Sequence, residues 1–243
     1  MTQTTLCFDF GNTRLKCAVF SGNTLQQVLV LENDQDATIQ ELIERFHPTQ
    51  SILSSVIDHN PGIESILTAT TAFHRLTHKS KIPVTTPVGK PQDIGADRLA
   101  MVVAATTLFP GKNNLVVGLG TAITYNFVNK YAQFMGGGIS PGMELRLKSL
   151  HEHTAKLPLV KKDWNFPLLG YDTRTNILSG VILGMAKEID GMIGLYVQKY
   201  HNLNVILTGG DTSHFAAHLQ QPIVPDPDLL FKGLYAICQY NVT

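Results

Sequence analysis

The segment Phe8-Asp9-Phe10-Gly11-Asn12-Thr13-Arg14-Leu15-Lys16 places an acid and short polar side chains on a tight turn between two apolar runs. The flanking residues, Thr5 to Phe8 and Leu15 to Phe20, have the composition of β-strands. Strands joined this tightly form a hairpin, in which Gly11 tolerates unusual backbone angles and free N–H groups can face a phosphate. Asp, Gly and Asn are also ordinary turn formers, so this segment alone leaves a phosphate-binding loop and a plain hairpin both open.

Composition limits the class of protein. The chain has 243 residues, of which 44% are hydrophobic, so it can bury a substantial core as one large domain or two small ones. Nineteen basic and nineteen acidic residues leave no net charge, and nothing in this balance favours nucleic acid or an anionic membrane as partner. The N-terminus lacks the pattern of a signal peptide, and no apolar run approaches the length of a membrane span.

The three cysteines are Cys7, Cys17 and Cys238, and their spacing fits neither a zinc site nor a redox motif. Cys7 and Cys17 fall inside predicted strands. We therefore expect buried, reduced thiols in a cytoplasmic protein.

The elements predicted in the first part of the chain follow the order β-β-β-α-β-α-β. After the hairpin come a strand, a helix, a strand, a second helix and a weak strand, over residues 24–31, 37–46, 51–57, 61–73 and 75–79. This order predicts a mixed sheet with helices packed on its faces.

A turn-rich hexamer, Phe109 to Asn114, then divides the chain into domains of residues 1–111 and 112–243. The pattern restarts behind it. Residues 115–128 again give strand, Gly120-Thr121 turn and strand, and residues 131–135 predict a third strand ahead of a glycine run and a helix that ends near Leu157. The repetition predicts two opposed phosphate-binding turns across a cleft of nucleotide size.

One long helix is predicted from Thr173 to Tyr200, with glycines at four positions, the first of them Gly180. A glycine costs a helix about 1 kcal/mol, so close helix–helix approach is expected, either inside the chain or at a subunit interface. The segment 157–170, which contains Trp164, is predicted to be a packed connection rather than a lid. The last helix, Leu229 to Tyr240, is predicted to close the second domain.

Two further segments have both an ordinary and a functional interpretation. Gly95-Ala96-Asp97-Arg98 opens a predicted helix, where an acid is favoured by the helix dipole alone but could also serve in a site. Thr208-Gly209-Gly210 ends a buried strand, either as a plain turn or as a place where the backbone approaches a flat ring closely.

In combination and in this order, Asp9-x-Gly-Asn-Thr13, Gly120-Thr121 and Thr208-Gly209-Gly210 resemble the phosphate and adenosine motifs of the actin, sugar-kinase and chaperone ATPase superfamily. That resemblance implies an α/β fold of two ribonuclease-H-like domains, each of the β-β-β-α-β-α-β type, with the active site in the cleft between them. It narrows to type III pantothenate kinases through five further motifs: Ser54-Ser55-Val56, Gly95-Ala96-Asp97-Arg98, Gly137-Gly138-Ile139-Ser140-Pro141-Gly142, Thr154-Ala155-Lys156-Leu157-Pro158, and Asp172-Thr173 with Ser179-Gly180.

The resemblance also implies roles for individual residues. ATP phosphates would lie on Asp9, Phe10, Gly11, Asn12, Thr13, Arg14, Leu15, Lys16 and Thr121, with magnesium held by Asp9 through water. Pantothenate would lie on Gly95, Ala96, Asp97, Arg98 and Thr173, with Asp97 as the base for the attacking hydroxyl. A carboxylate is ionised at neutral pH and can take that proton. Thr173 also has a simpler interpretation as the N-cap of its helix.

Two positions depart from the family pattern. Gly118 stands where the family has an aspartate that binds a monovalent cation, K⁺ or NH₄⁺, so we expect that site to be altered or absent. Val88-Gly89-Lys90-Pro91 stands where the family has an aromatic residue and an asparagine, which puts an aromatic wall of the substrate pocket in doubt.

The resulting expectation is a homodimeric cytoplasmic kinase that phosphorylates pantothenate with ATP, with its subunit interface on the helix from Thr173. It binds no nucleic acid or membrane. The alternatives are a kinase for another small hydroxyl compound and a nucleotide-binding regulatory or accessory protein without turnover.

Overall fold

Two five-stranded β-sheets organise the chain, one in each of two units. The computed structural model describes residues 3–87, 89 and 91–242. The first unit contains Met1–Leu108 and Leu229–Thr243, and the second contains Phe109–Asp228.

The first unit opens with three antiparallel strands, β1 (Thr4–Phe10), β2 (Leu15–Ser21) and β3 (Thr24–Leu31). Then follow α1 (Asp36–Phe46), β4 (Gln50–Ser55), α2 (Gly62–Thr70), β5 (Ala72–Arg75), a 3₁₀ turn (Pro91–Asp93) and α3 (Ala96–Leu108). The strand order is β3-β2-β1-β4-β5, and β4 runs parallel to both β1 and β5. This arrangement confirms the predicted β-β-β-α-β-α-β order.

The second unit repeats that arrangement. Its elements are β6 (Asn113–Leu119), β7 (Ala122–Val128), β8 (Phe134–Pro141), α4 (Met143–Glu152), α5 (Thr173–Lys199), β9 (Leu203–Gly209), α6 (Thr212–Ala216) and β10 (Val224–Pro225). The order β10-β9-β6-β7-β8 again combines an antiparallel meander with parallel strands on one side. The mixed α/β fold with a duplicated sheet is therefore confirmed.

The last helix, α7 (Leu229–Asn241), packs with the first unit, although the sequence predicted it as part of the second. Its Gly233 lies against α3 so closely that a Cβ atom there would be 1.9 Å from the carbonyl oxygen of Ala100. The local pattern of a helix does not specify its partner, and this close approach is a tertiary feature. The second unit begins at Phe109, which is the first residue of the turn-rich hexamer.

The two faces of the first sheet carry different side chains, because alternate residues of a strand point to opposite sides. Leu6, Phe8 and Phe10 share one apolar cluster with residues of α1 and α2. On the other face, Gln50 accepts hydrogen bonds from Thr5 Oγ1 (3.2 Å) and from Gln239 Nε2 on α7 (2.8 Å). We call this second side the α7 face.

Two predicted strands lie at shifted positions. The strand predicted at residues 75–79 is β5, three residues earlier, because α2 ends at Thr70 and the Thr71 hydroxyl donates to the carbonyl of Leu67 (2.8 Å). The strand predicted at residues 131–135 is β8, which includes the glycine run. Position 137 requires glycine, because a Cβ atom there would lie 1.8 Å from the carbonyl oxygen of Tyr125.

The long connection through Trp164 is packed, as predicted. Its indole stacks on the His214 ring at 4.4 Å between centroids and meets Phe215 edge-on at 5.2 Å. The three cysteines are buried and free. Among the described helices, none has the length and apolar character required to cross a membrane.

Candidate active site

Lys16, Asp9 and Ser54 form a row across three neighbouring strands. In the register of the sheet, Asp9 on β1 is the partner of Lys16 on β2 and of Ser54 on β4. Residues paired in this way project from the same side of the sheet. Because Thr5 and Gln50 lie two pairs further along the same side, the row belongs to the α7 face.

Asp97 approaches this row from the first turn of α3. Its carboxylate folds back over the preceding residues, so a Cβ atom at Gly95 would lie 2.5 Å from Asp97 Oδ1. A side chain at position 95 would therefore displace the Asp97 carboxylate from this position. The helix N-terminus favours the negative charge, which explains why an acid is accommodated here.

The electrostatics of Asp9 link the sheet to α3. The pKa of Asp9 is raised from 3.8 to about 6, and burial is the largest cause. The charge of Asp97 also raises this pKa, and Lys16 lowers it. The carboxylates of Asp9 and Asp97 are thus close enough to interact electrostatically.

Arg98 is half-buried beside Asp97. Burial lowers the pKa of the Arg98 guanidinium, and the charge of Asp97 opposes that shift. Arg98 therefore provides a fixed positive charge next to the candidate base. Among the predicted substrate residues, Gly95, Ala96, Asp97 and Arg98 lie together at the start of one helix.

The predicted phosphate loop is the turn between β1 and β2. The Gly11 N–H donates to the carbonyl oxygen of Arg14 (3.1 Å), which closes the turn and leaves the side chains of Asn12, Thr13 and Arg14 exposed. Phe10 is buried in the apolar core, so its ring is not available to a ligand. The exposed turn and half-buried Lys16 are the parts of the segment that an anion can reach.

In the second unit, the Gly120-Thr121 turn lies beside the end of β9. Leu119 and Gly209 are partners in the parallel pair of β6 and β9. Gly209 has φ +107°, and a Cβ atom there would lie 2.1 Å from the carbonyl oxygen of Leu119. Exposed Thr121 and the Gly209-Gly210 turn therefore occur at the same edge of this sheet.

Gly118 is buried in β6, paired with Thr124 on one side and Thr208 on the other. The position has no carboxylate, and the adjacent strands present threonines. Over residues 3–87, 89 and 91–242, no group of three or more His, Cys, Asp or Glu side chains is arranged to hold a metal ion.

Thr173 is the first residue of α5, but Asp172 caps this helix. The Thr175 N–H donates to Asp172 Oδ1 (2.7 Å), and the Thr175 hydroxyl accepts from the Asp172 N–H (3.2 Å), which completes a capping box. The N-cap interpretation of Thr173 is therefore wrong. The exposed Thr173 lines a cavity of about 680 Å³ together with Arg146, Leu157, Asn176 and Gly180, among others.

Ser54 and Arg146 were not among the predicted site residues. Arg146 pairs with Glu188, which also accepts a hydrogen bond from the Tyr125 hydroxyl (3.2 Å). Ser54 belongs to the Ser54-Ser55-Val56 motif. Its position beside Asp9 could not be predicted from the motif, because it depends on the pairing of β1 with β4. The segment Val88-Gly89-Lys90, where the sequence departs from the family pattern, has Val88 and Lys90 outside the described residues.

The five-stranded mixed sheet that occurs once in each unit places the chain in the class of α/β proteins built from two ribonuclease-H-like domains, and solved structures agree on this fold. The chain resembles an inorganic polyphosphate/ATP-glucomannokinase from Arthrobacter, with TM-score 0.50, 15% identity and coverage of 98% and 99% of the two chains. It also resembles a Campylobacter jejuni protein described as a Baf family transcriptional activator, with TM-score 0.58, 20% identity and coverage of 96% and 97%.

Sequence comparison gives the family. The family model of type III pantothenate kinase matches residues 5–194. A type III pantothenate kinase from Cytophaga hutchinsonii is 40% identical over 237 residues, which cover 98% of this chain and 99% of that protein. The chain belongs to the type III pantothenate kinase family.

Proposed function

We propose that this chain transfers the γ-phosphoryl group of ATP to the primary hydroxyl of pantothenate, giving 4'-phosphopantothenate in the first step of coenzyme A biosynthesis. The observation that carries the proposal is the proximity of Asp9 and Asp97 on one face of the first unit, beside Lys16. Family membership supplies the identity of the substrate.

Asp97 acts as the general base. The pantothenate oxygen attacks the γ-phosphorus, the bond from that phosphorus to the bridging oxygen breaks, and ADP leaves. The proton of the attacking hydroxyl passes to the Asp97 carboxylate. The positive charge of Arg98 interacts with the Asp97 carboxylate and partly neutralises the negative charge around it.

The phosphate groups of ATP bind to the β1–β2 turn in this proposal, and the family resemblance adds Thr121 as a further phosphate contact. The turn offers backbone N–H groups, and Lys16 adds a positive charge. The closure of two domains on ATP, which the family resemblance implies, stays a prediction.

Asp9 holds magnesium through water. The residues fit this ion, since Mg²⁺ keeps several waters and is typically held by one or two carboxylates together with substrate phosphates. Asp9 is a partly exposed carboxylate, and Ser54 beside it has a buried hydroxyl oxygen without a partner in the described chain. When bound, magnesium neutralises phosphate charge.

Thr173 contacts pantothenate in this proposal. Its exposed hydroxyl at the start of α5 is not used in capping the helix, and it lines a cavity large enough for a small molecule. The side chain can donate or accept a hydrogen bond, which suits the amide and carboxylate of pantothenate.

A homodimer with α5 in its interface fits the exposed surface of that helix. A Cβ atom at Gly184 or Gly191 would meet open space, so within the described chain nothing packs against these glycines. Leu195 continues the same helix and is 61% exposed. A second copy of the chain would cover this surface. The free thiols and the ATP substrate support a cytoplasmic location.

The enzyme works without a monovalent cation at position 118 in this proposal, because Gly118 supplies no carboxylate. A phosphorylation assay with purified protein, pantothenate and magnesium-ATP tests the function. Formation of 4'-phosphopantothenate with ADP supports it. A folded protein that binds ATP but gives no product would contradict it, and a panel of other small hydroxyl compounds would then separate a different kinase from a regulatory protein.

A further inference from the structure

The side chain of Ser54 combines burial with an unused hydroxyl group. Ser54 is 1% exposed, and its Oγ atom has no hydrogen-bond partner in the described part of the chain. The only other buried side-chain oxygen in that state, over the same residues, is Asp190 Oδ2. Native proteins pair most buried hydroxyls, so the exception calls for a physical explanation.

Neighbouring serines on β4 show that pairing is available elsewhere on this strand. Ser51 Oγ lies 2.6 Å from Thr71 Oγ1, and Ser55 Oγ donates to the carbonyl oxygen of Ile57 (2.9 Å). Ser51 and Ser55 thus have hydrogen-bond partners, and Ser54 between them has none. The difference follows from the face of the sheet toward which Ser54 projects.

That face is the α7 face. Gln50, two pairs along β4, bonds to Gln239 on α7, whereas Leu53 on the opposite side packs in the apolar cluster of α1 and α2. By alternation, Ser54 projects to the same side as Gln50. Its partner in the register is Asp9, which interacts electrostatically with Asp97.

We propose that Ser54 is a positioning residue for phosphoryl transfer, whose hydroxyl hydrogen-bonds a water bound to the magnesium that Asp9 holds. This inference rests on the proposed function, because it assumes a hydrated divalent cation with ATP at Asp9. A serine hydroxyl can both donate to a carboxylate and accept from a water. Outer partners of this kind orient the groups that bind a metal, and their loss typically weakens metal affinity 10- to 100-fold.

The effect of removing the Ser54 hydroxyl on the stability of the free protein depends on which role the hydroxyl has. A hydroxyl that serves the fold stabilises the free protein, and its removal lowers the melting temperature. A hydroxyl that awaits a ligand is unsatisfied in the free protein, and its replacement by an apolar group of similar shape is neutral or stabilising. The two roles therefore predict effects of opposite sign on the ligand-free protein.

The experiment compares Ser54→Ala with Ser51→Ala, a matched buried serine on the same strand. Melting temperature is measured in EDTA, and ATP affinity is measured by calorimetry over a series of Mg²⁺ concentrations. For Ser54→Ala we expect a melting temperature equal to or above wild type and an approximately tenfold higher Mg²⁺ concentration for half-maximal ATP binding. For Ser51→Ala we expect a lower melting temperature and an unchanged Mg²⁺ requirement.

Ser54→Cys provides a second variant of similar shape with a weak donor, and it should show the same loss of Mg²⁺ affinity. A lower melting temperature for Ser54→Ala with wild-type Mg²⁺ dependence would overturn the proposal and assign the hydroxyl to the fold. Because binding is measured without pantothenate, the result is independent of substrate identity. A wild-type protein that binds magnesium-ATP and leaves pantothenate unphosphorylated would overturn the proposed function alone.

Discussion

Asp9 on β1 and Asp97 on α3 interact electrostatically: burial and the charge of Asp97 both raise the pKa of Asp9, which is about 6. Two carboxylates brought together in this way repel each other in the free protein. Lys16 opposes the repulsion from the neighbouring strand. A cation bound at Asp9 would cancel the remaining repulsion between the two carboxylates. The charge distribution of the free site therefore favours binding of a metal ion together with ATP.

Asp97→Asn should abolish most turnover and preserve ATP binding. The amide has the shape of the carboxylate but cannot accept the proton of the attacking hydroxyl, and loss of a general base costs about 10² to 10⁴ in rate. Single-turnover kinetics and ATP calorimetry measure the two effects. Asp93→Asn is the control, since Asp93 is exposed and four residues earlier. Full activity in Asp97→Asn would show that Asp97 is not the base.

The magnesium requirement should increase at acidic pH. The pKa of Asp9 is about 6 in the free protein, so the proton competes with the cation below this pH. The Mg²⁺ concentration for half-maximal ATP binding should therefore be higher at pH 5.5 than at pH 8. Equal values at the two pH values would argue that Asp9 does not hold the metal.

Asp9→Asn should stabilise the free protein at pH 8 and leave its stability unchanged near pH 4. Since the folded-state pKa of Asp9 is raised above its unfolded value, this residue stabilises the fold fully below about pH 4 and loses that contribution as pH rises through about 6. The variant lacks the ionisation that causes the loss. Thermal unfolding in EDTA at pH 4, 6 and 8 measures the difference, and a lower melting temperature for the variant at pH 8 would contradict the expected sign.

Turnover in sodium buffer should not change on addition of K⁺ or NH₄⁺. Gly118 lacks the carboxylate that would hold such an ion, and its strand partners are threonines. Initial rates at equal ionic strength are the measurement. Clear stimulation by K⁺ but not by Na⁺ would mean that other oxygen atoms bind the ion.

Gly184→Arg should convert the expected dimer to a monomer, whereas Gly184→Ala should leave it intact. The position faces open space on α5, so an arginine is accommodated in one chain but obstructs close packing of a second. Alanine should also stabilise the helix by about 0.5–1 kcal/mol. Light scattering and thermal unfolding report the two effects. A dimeric Gly184→Arg variant would place the interface elsewhere.

Local pattern was sufficient to predict much of the fold. The β-β-β-α-β-α-β order follows from strand alternation and helical spacing, and the repeat identified the second sheet. The partner of α7 and the true extent of β8 depend on close backbone approaches at Gly233 and Gly137, which no local pattern encodes. Likewise the row of Lys16, Asp9 and Ser54 requires the register of three strands. The motif around Asp97 identifies this residue as a site candidate, but its electrostatic interaction with Asp9 depends on the folded chain.

Thr173→Ala and Thr175→Ala should separate binding from folding at the start of α5. Thr175 completes the capping box with Asp172, so its replacement should destabilise the protein by about 1 kcal/mol and lower the melting temperature. Thr173 is exposed and outside that box, so Thr173→Ala should keep the melting temperature. It should raise the KM for pantothenate by up to about tenfold, the factor that loss of one hydrogen bond costs, with the KM for ATP unchanged. Steady-state kinetics and thermal unfolding of both variants test this division. A wild-type KM in Thr173→Ala would remove Thr173 from the substrate site, because no change in stability would be present to mask its effect.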